Sequence, residues 1–156
     1  MRLLLLLGLF IIQISEEPRY VAGIGYQGYV FPKEYNTNWL EFGEKIKYNP
    51  TDNDILLAEK LLAEEIPEMN KKRDNQGKGC PIIDKELHKY MRQYFGYIDS
   101  KFDTVIWINC VYGNDNPSDA SWKELIMVDD GCSHYWSIEI NITQGYAYNL
   151  FINGSA

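Results

Sequence analysis

Cys132 and His134 stand two residues apart behind Asp129 and Asp130, and no other stretch of the chain looks more like a reacting group. A thiol nucleophile needs a base to take its proton and a carboxylate to orient that base. Cys132 or Cys110 with His134 and one of the two aspartates is therefore the best enzymatic reading, a small Cys/His-dependent hydrolase or transferase. On a strand a spacing of two puts both side chains on one face, whereas in a turn it fixes nothing. The neighbours argue against catalysis, because a reactive cysteine needs an electropositive, accessible site and these flanking residues are acidic. Cys132 reads instead as a structural half-cystine beside a surface histidine, and no catalytic residue is assigned.

Other chemistry finds less footing. The chain has no phosphate-cradling glycine loop, no G-x-S-x-G, no H-E-x-x-H and no C-x-x-C. Asp52-Asn53-Asp54, Asn114-Asp115-Asn116 and Asp129-Asp130 lack the spacing of a calcium loop and read as caps and turns. No metal and no cofactor is expected. Asn141-Ile142-Thr143 and Asn153-Gly154-Ser155 match the glycosylation acceptor pattern, which matters only in a host that glycosylates exported chains.

The elements that would position these groups begin with an address. Met1-Arg2 precede Leu3 to Ile12, apolar apart from Gly8, and Gln13, Ser15, Glu16 and Glu17 close the run. A charged start, a short apolar segment and a polar exit make a secretory signal peptide over residues 1–15, cut near Ser15. Such a segment makes a helix of about 15–18 Å, short of a ~30 Å hydrocarbon core, so no transmembrane span is expected after cleavage. Residues 16–156 then form one domain of 141 residues. Losing Arg2 leaves 14 basic against 22 acidic residues, a formal charge of −8, which repels nucleic acid and anionic membrane. The periplasm or the extracellular space is the expected location, and an envelope or extracellular protein the expected partner.

Within the domain, residues 16–50 read as an irregular N-terminal segment. It contains a glycine-broken strand over Tyr20–Phe31 and a long connection with a helical turn near Trp39–Lys45. Thr51 can cap a helix over 51–67, whose Ile55, Ala58, Leu62 and Ile66 recur at helical spacing until Pro67 stops it. A polar loop fills 68–81, and a second helix is expected over 84–91. From Gln93 the period falls to two, and five strands follow within 93–153: Gln93–Ile98, Thr104–Val111, Trp122–Val128, His134–Asn141 and Tyr146–Asn153. Short turns between them imply an antiparallel meander with the helices on one face, an α+β fold.

That order ranks the disulfides. Across a meander, Cys110 and Cys132 fall at opposite ends of the third strand, about 23–26 Å apart, against the ~4.4–6.8 Å of bridged Cα atoms. Cys80 paired with Cys132 is therefore expected, with Cys110 free and buried by its parity with Ile106 and Ile108. Val105 and Trp107 make the opposite face of the same strand apolar too. With Tyr135 they are the candidate binding surface, to be covered by the N-terminal segment or by a partner.

Pro50-Thr51-Asp52 leading into Ala58-Glu59-Lys60-Leu61-Leu62, Tyr90 to Ile98 with Ile106-Trp107-Ile108-Asn109-Cys110, and Asp130-Gly131 through Asn153-Gly154 resemble a group of small exported Bacteroidota proteins with no assigned activity. The resemblance spans roughly residues 50–156. It implies export and a single domain and supplies no catalytic residue. The layout of helices on a curved meander is also similar to cystatin-like and PepSY-like domains. The expected function is a non-catalytic binding or inhibitory module, with a self-associating structural component as a further alternative.

Overall fold

The computed structural model describes residues 17–37, 45–113 and 116–154. The expected signal segment lies outside them, as does the helical turn expected near Trp39–Lys45 except for Lys45. Among the described residues seven strands form one sheet: β1 Arg19–Gly23, β2 Tyr26–Val30, β3 Ile46–Tyr48, β4 Tyr90–Ile98, β5 Thr104–Tyr112, β6 Tyr135–Asn141 and β7 Tyr146–Ile152. Two helices accompany it, α1 Asp52–Met69 and α2 Ile83–Glu86. The strand order is β1-β2-β4-β5-β6-β7, and β3 adds to β4 beside β2.

The expected irregular strand over Tyr20–Phe31 is a hairpin. Ile24-Gly25 make its two-residue turn, with Gly25 at φ +81°, a conformation glycine adopts without steric cost. β2 then runs parallel to β4, pairing Gln27–Val30 with Met91–Tyr94. Gly28 permits that approach, since a Cβ there would sit 2.2 Å from the Arg92 carbonyl oxygen. β3, inside the expected connection, takes the remaining length of the same β4 edge through Ile46↔Ile98 and Tyr48↔Gly96.

α1 begins where its cap predicts. Thr51 accepts from the Asp54 N–H, and the Asp54 carboxylate accepts from the Thr51 N–H at 2.8 Å, a reciprocal capping box. The helix passes Pro67 and ends at Met69, because a proline this close to the end removes a single bond of the last turn. The expected second helix over 84–91 shrinks to one turn of α2 and a 3-10 turn at Leu87–Lys89, and Tyr90 and Met91 belong to β4.

The five-stranded meander is replaced by a four-stranded one, β4 to β7. Residues 122–128 form no strand: a 3-10 turn at Ala120–Lys123 leads into an extended segment lying over the sheet. β5 therefore pairs directly with β6, from Val105↔Asn141 to Val111↔Tyr135. Cys80 and Cys132 are bridged, with Cα atoms 6.2 Å apart, and Cys110 is free and buried. The pairing matches expectation, but the distance argument for it does not survive. Without an intervening strand, Cys110 and Cys132 lie toward the same end of the sheet. What separates them is direction, since Cys110 points among the helix-side core residues.

The sheet is apolar on both faces. On one, Ile55, Ala58, Leu62 and Ile66 of α1 pack against Tyr94, Ile106, Ile108, Trp136, Ile138 and Ile140. On the other, Phe31, Phe95, Tyr97, Val105 and Trp107 meet Tyr35, Trp122 and Leu125 from connecting segments, with Tyr148 of β7 at the border. The cover expected from the N-terminal segment or a partner is thus shared between two stretches of this chain, near 31–35 and 117–126.

Candidate functional site

Cys132 sits at φ +51° in a 3-10 turn after Gly131, is oxidised to Cys80, and has His134 Nδ1 3.3 Å from its sulfur. Cys110 is wholly buried opposite Arg92 in the β4–β5 ladder. Burial pushes its thiol well above the ordinary cysteine range, only partly offset by the Arg92 charge. The structure brings Cys132 and His134 together but leaves the molecule no thiol that is both reduced and accessible. Asp54, weighed as part of a calcium cluster, is a capping group. Its carboxyl pays for partial burial, yet hydrogen bonds from Tyr48 and Thr51 hold it below its ordinary value.

The helix side holds an ionic cluster that periodicity did not reveal. Arg92, the only charged residue of β4, donates from Nε to Glu59 Oε1 at 3.2 Å and from NH1 to the Tyr90 carbonyl at 2.5 Å. The Tyr94 hydroxyl donates to the same Glu59 oxygen at 2.8 Å. Arg92 is fully buried and Glu59 nearly so. Desolvation is the largest influence and opposes the Arg92 charge, but Glu59 together with the neighbouring Cys110 and Tyr94 outweighs it and holds the guanidinium above its ordinary value. Glu59 also floors a cleft of about 440 Å³ between the β1–β2 turn, α1 and α2, walled by Tyr26, Leu56, Ala63 and Leu87. That carboxylate is committed to Arg92 and Tyr94. The only sequence signal for the cluster was Glu59 lying on the same helix face as Ile55 and Leu62.

The opposite face is held by side-chain amides. Gln93 Nε2 donates to the carbonyls of Trp122 (3.1 Å) and Glu124 (2.7 Å), and its Oε1 accepts from the Ile126 N–H at 3.0 Å. Asn109 Nδ2 donates to the Ile126 carbonyl at 2.7 Å and to Gln93 Oε1 at 3.0 Å. Trp122 and Leu125 turn toward the sheet from residues 122–126. The backbone groups of this segment are met by Gln93, Asn109 and the Tyr35 hydroxyl rather than by a neighbouring strand.

Beyond the clamp this segment stops short of covering β6 and β7. A cleft of about 250 Å³ remains there, with Trp107 and Tyr135 in its walls and Met127, Val128 and Phe151 at its margin. Met127 is 53% exposed and Phe151 64%. Asn153 anchors one end, donating from Nδ2 to the carbonyls of Val128 and Asp130. The candidate surface residues divide accordingly. Val105 is buried under the cover, Trp107 shows only an edge, and Tyr135 is half-exposed at the cleft. Met127, Val128 and Phe151 were missed because their exposure depends on where a loop stops.

A groove of about 690 Å³ at the C-terminal end of α1 is lined mostly by the polar residues 68–75. Among the described residues no helix is long and apolar enough to cross a membrane. Comparison with known proteins found no matching family, no matching curated protein and no matching solved structure.

Proposed function

We propose that this protein is an exported, non-catalytic binding or inhibitory module that takes an apolar side chain of a partner protein into the cleft beside Trp107 and Tyr135. The observation that carries the reading is the size and margin of that cleft. Pockets for drug-sized ligands run to about 300–1,000 Å³. A cleft of about 250 Å³ walled by aromatic residues suits one large side chain, the way a hot-spot residue docks at a protein interface. Asp129 and Asp130 at the edge, in a chain of net charge −7, favour a partner with basic residues beside its apolar anchor.

Export is supported by the leader-like N-terminus and by a disulfide, which persists in oxidising compartments. The periplasm or the extracellular space follows as the proposed location. The resemblance to small exported Bacteroidota proteins fits the same proposal. The enzymatic alternative loses support because Cys132 is oxidised and Cys110 is sealed. Iodoacetamide should label no cysteine in the folded, non-reduced protein and one after urea unfolding; labelling in the folded state would revive a thiol mechanism. Self-association through the β7 edge loses support too. Asn149 at φ +50° interrupts that strand, and Glu65 accepts from the Ala147 N–H at 3.1 Å.

The binding test compares three baits in pull-downs from envelope and culture-supernatant fractions: wild type, Met127→Asp/Phe151→Asp and Leu56→Asp. A protein held by wild type and Leu56→Asp but lost with the double variant is the expected result. Retention by the double variant rules out the cleft as the docking site.

A further inference from the structure

The bridge between Cys80 and Cys132 has a third donor beside it. Both sulfurs and a ring nitrogen of His134 lie within 4.8 Å of one another, and His134 Nδ1 is 3.3 Å from Cys132 Sγ. Zinc binds thiolate at about 2.3 Å and imidazole at about 2.0–2.1 Å, which places neighbouring ligand atoms of a tetrahedral site about 3.5–3.8 Å apart. Opening the S–S bond and rotating two cysteine side chains is enough to reach such spacing from Cα atoms 6.2 Å apart.

The decisive question is what holds the donors together once the bridge is gone. The two segments are also joined by hydrogen bonds that use no sulfur. Ser133 Oγ donates to the carbonyl of Pro81, next to Cys80, at 2.5 Å, and Ser133 N–H donates to the Asn75 carbonyl at 3.2 Å. The Tyr90 hydroxyl, from inside the helix-side core, donates to the Ser133 carbonyl at 2.7 Å. Cys132 N–H donates to the Gly154 carbonyl at 2.8 Å, and Gly77 and Cys80 close their own turn by mutual backbone bonds. Ser133 and Tyr90 are fully buried, so these bonds are shielded from competing water. Reduction therefore leaves the Gly131–His134 turn docked on the loop that carries Cys80.

We propose that reduction turns the Cys80–Cys132 bridge into a zinc site with two thiolates and His134 Nδ1 as ligands and an open fourth position for water. A dithiol reductant supplies the two electrons. Its own thiols become a disulfide, and Cys80 and Cys132 each gain a proton as the S–S bond breaks. The metal then displaces both thiol protons to solvent, and two Zn–S bonds and one Zn–N bond form. In the oxidised protein His134 Nδ1 lies 3.1 Å from the Gly131 carbonyl, the contact of an Nδ1–H donor; ligation requires the proton on Nε2 instead. Cys80 and His134 are both half-exposed, which gives the ion a way in from solvent. Two thiolates cancel the zinc charge, so the site needs no further acidic ligand. This inference is independent of the binding cleft.

The test uses the full chain, reduced with a phosphine and desalted without oxygen, then titrated with zinc against a chromophoric chelator and separately with cobalt. The expected result is one zinc per reduced chain, none per oxidised chain, and a thiolate-to-cobalt charge-transfer band. His134→Ala should raise the zinc Kd by about tenfold or more, and Cys110→Ala should leave the stoichiometry at one. Circular dichroism of the reduced, metal-free chain should show the fold retained. The proposal is overturned if the reduced chain binds no zinc, if His134→Ala binds as tightly, or if the affinity equals that of the urea-unfolded chain. A reduced chain that unfolds before metal is added overturns it as well, because the site depends on the Ser133 and Tyr90 bonds surviving.

Discussion

The two faces of the sheet are closed by different means. The face under α1 is closed by a helix whose apolar stripe reaches across the strands, with one ion pair sealed inside. The other is closed by irregular segments held to the strands by amides and aromatic rings, and it ends in an open cleft. A helix satisfies its own backbone, so it can cover a sheet with apolar side chains alone. An extended segment brings unsatisfied N–H and C=O groups, so the strands beneath must supply polar side chains to meet them. That need explains why Gln93 and Asn109 stand buried among Phe95, Trp107 and Tyr97. The lesson is that the regular cover seals, and the irregular one leaves a surface on which recognition can be built.

The sharpest way to break this contrast is to strand the buried charge. Glu59→Ala should destabilise the protein by about 3–5 kcal/mol in urea unfolding, because Arg92 would be left uncompensated among apolar residues. A replacement of both residues, Glu59→Leu with Arg92→Met, should recover most of that loss. If Glu59→Ala costs under 1 kcal/mol, the helix side is wetter than its packing implies.

A smaller effect is expected on the other face. Gln93→Ala removes two donors and an acceptor from the segment over 122–126 and should cost about 1–3 kcal/mol. Its signature is local: amide exchange should accelerate at Glu124–Ile126 while α1 remains protected. Uniform acceleration across both faces would show that the two covers unfold together.

The mildest probe is pH. Hydrogen bonds from Lys89 and then from the Tyr112 hydroxyl hold the Glu86 carboxyl at about 2, against an ordinary value of 4.5. A depressed folded-state value means that its stabilisation is fully present above pH 4.5 and is lost as pH falls toward 2. Tyr112→Phe should therefore be less stable than wild type at pH 6, and the gap should close on acidification through that window. A gap that stays constant with pH would assign the Tyr112 effect to packing instead.

Much of this architecture was legible locally. The capping box at Thr51 and the spacing of Ile55, Ala58, Leu62 and Ile66 mark α1, and strict alternation marks β6. In β7 the alternation breaks at Asn149, φ +50°, so that Ala147, Leu150 and Ile152 pack on the helix side and Tyr148 on the opposite one. The segment over 122–128 is apolar at Trp122 and from Leu125 to Val128 without being a strand, because apolar residues report that a segment packs and say nothing about who bonds the backbone. The candidate site was legible only in part: Trp107 and Tyr135 stood out as aromatic residues on an apolar face, while Met127, Val128 and Phe151 did not.

Residue order by itself determined where the long helix starts, which side of β6 is apolar, and that Cys110 points inward. These follow from backbone periodicity and capping within a few residues of one another. Only the tertiary structure decided that the glycine hairpin joins β4 in parallel, that β5 meets β6 directly, that Glu59 answers Arg92, and that a cleft is left beside Tyr135. Each of those depends on residues dozens of positions apart being brought into contact, and the free energy of such contacts is set by the whole packed chain rather than by any local pattern.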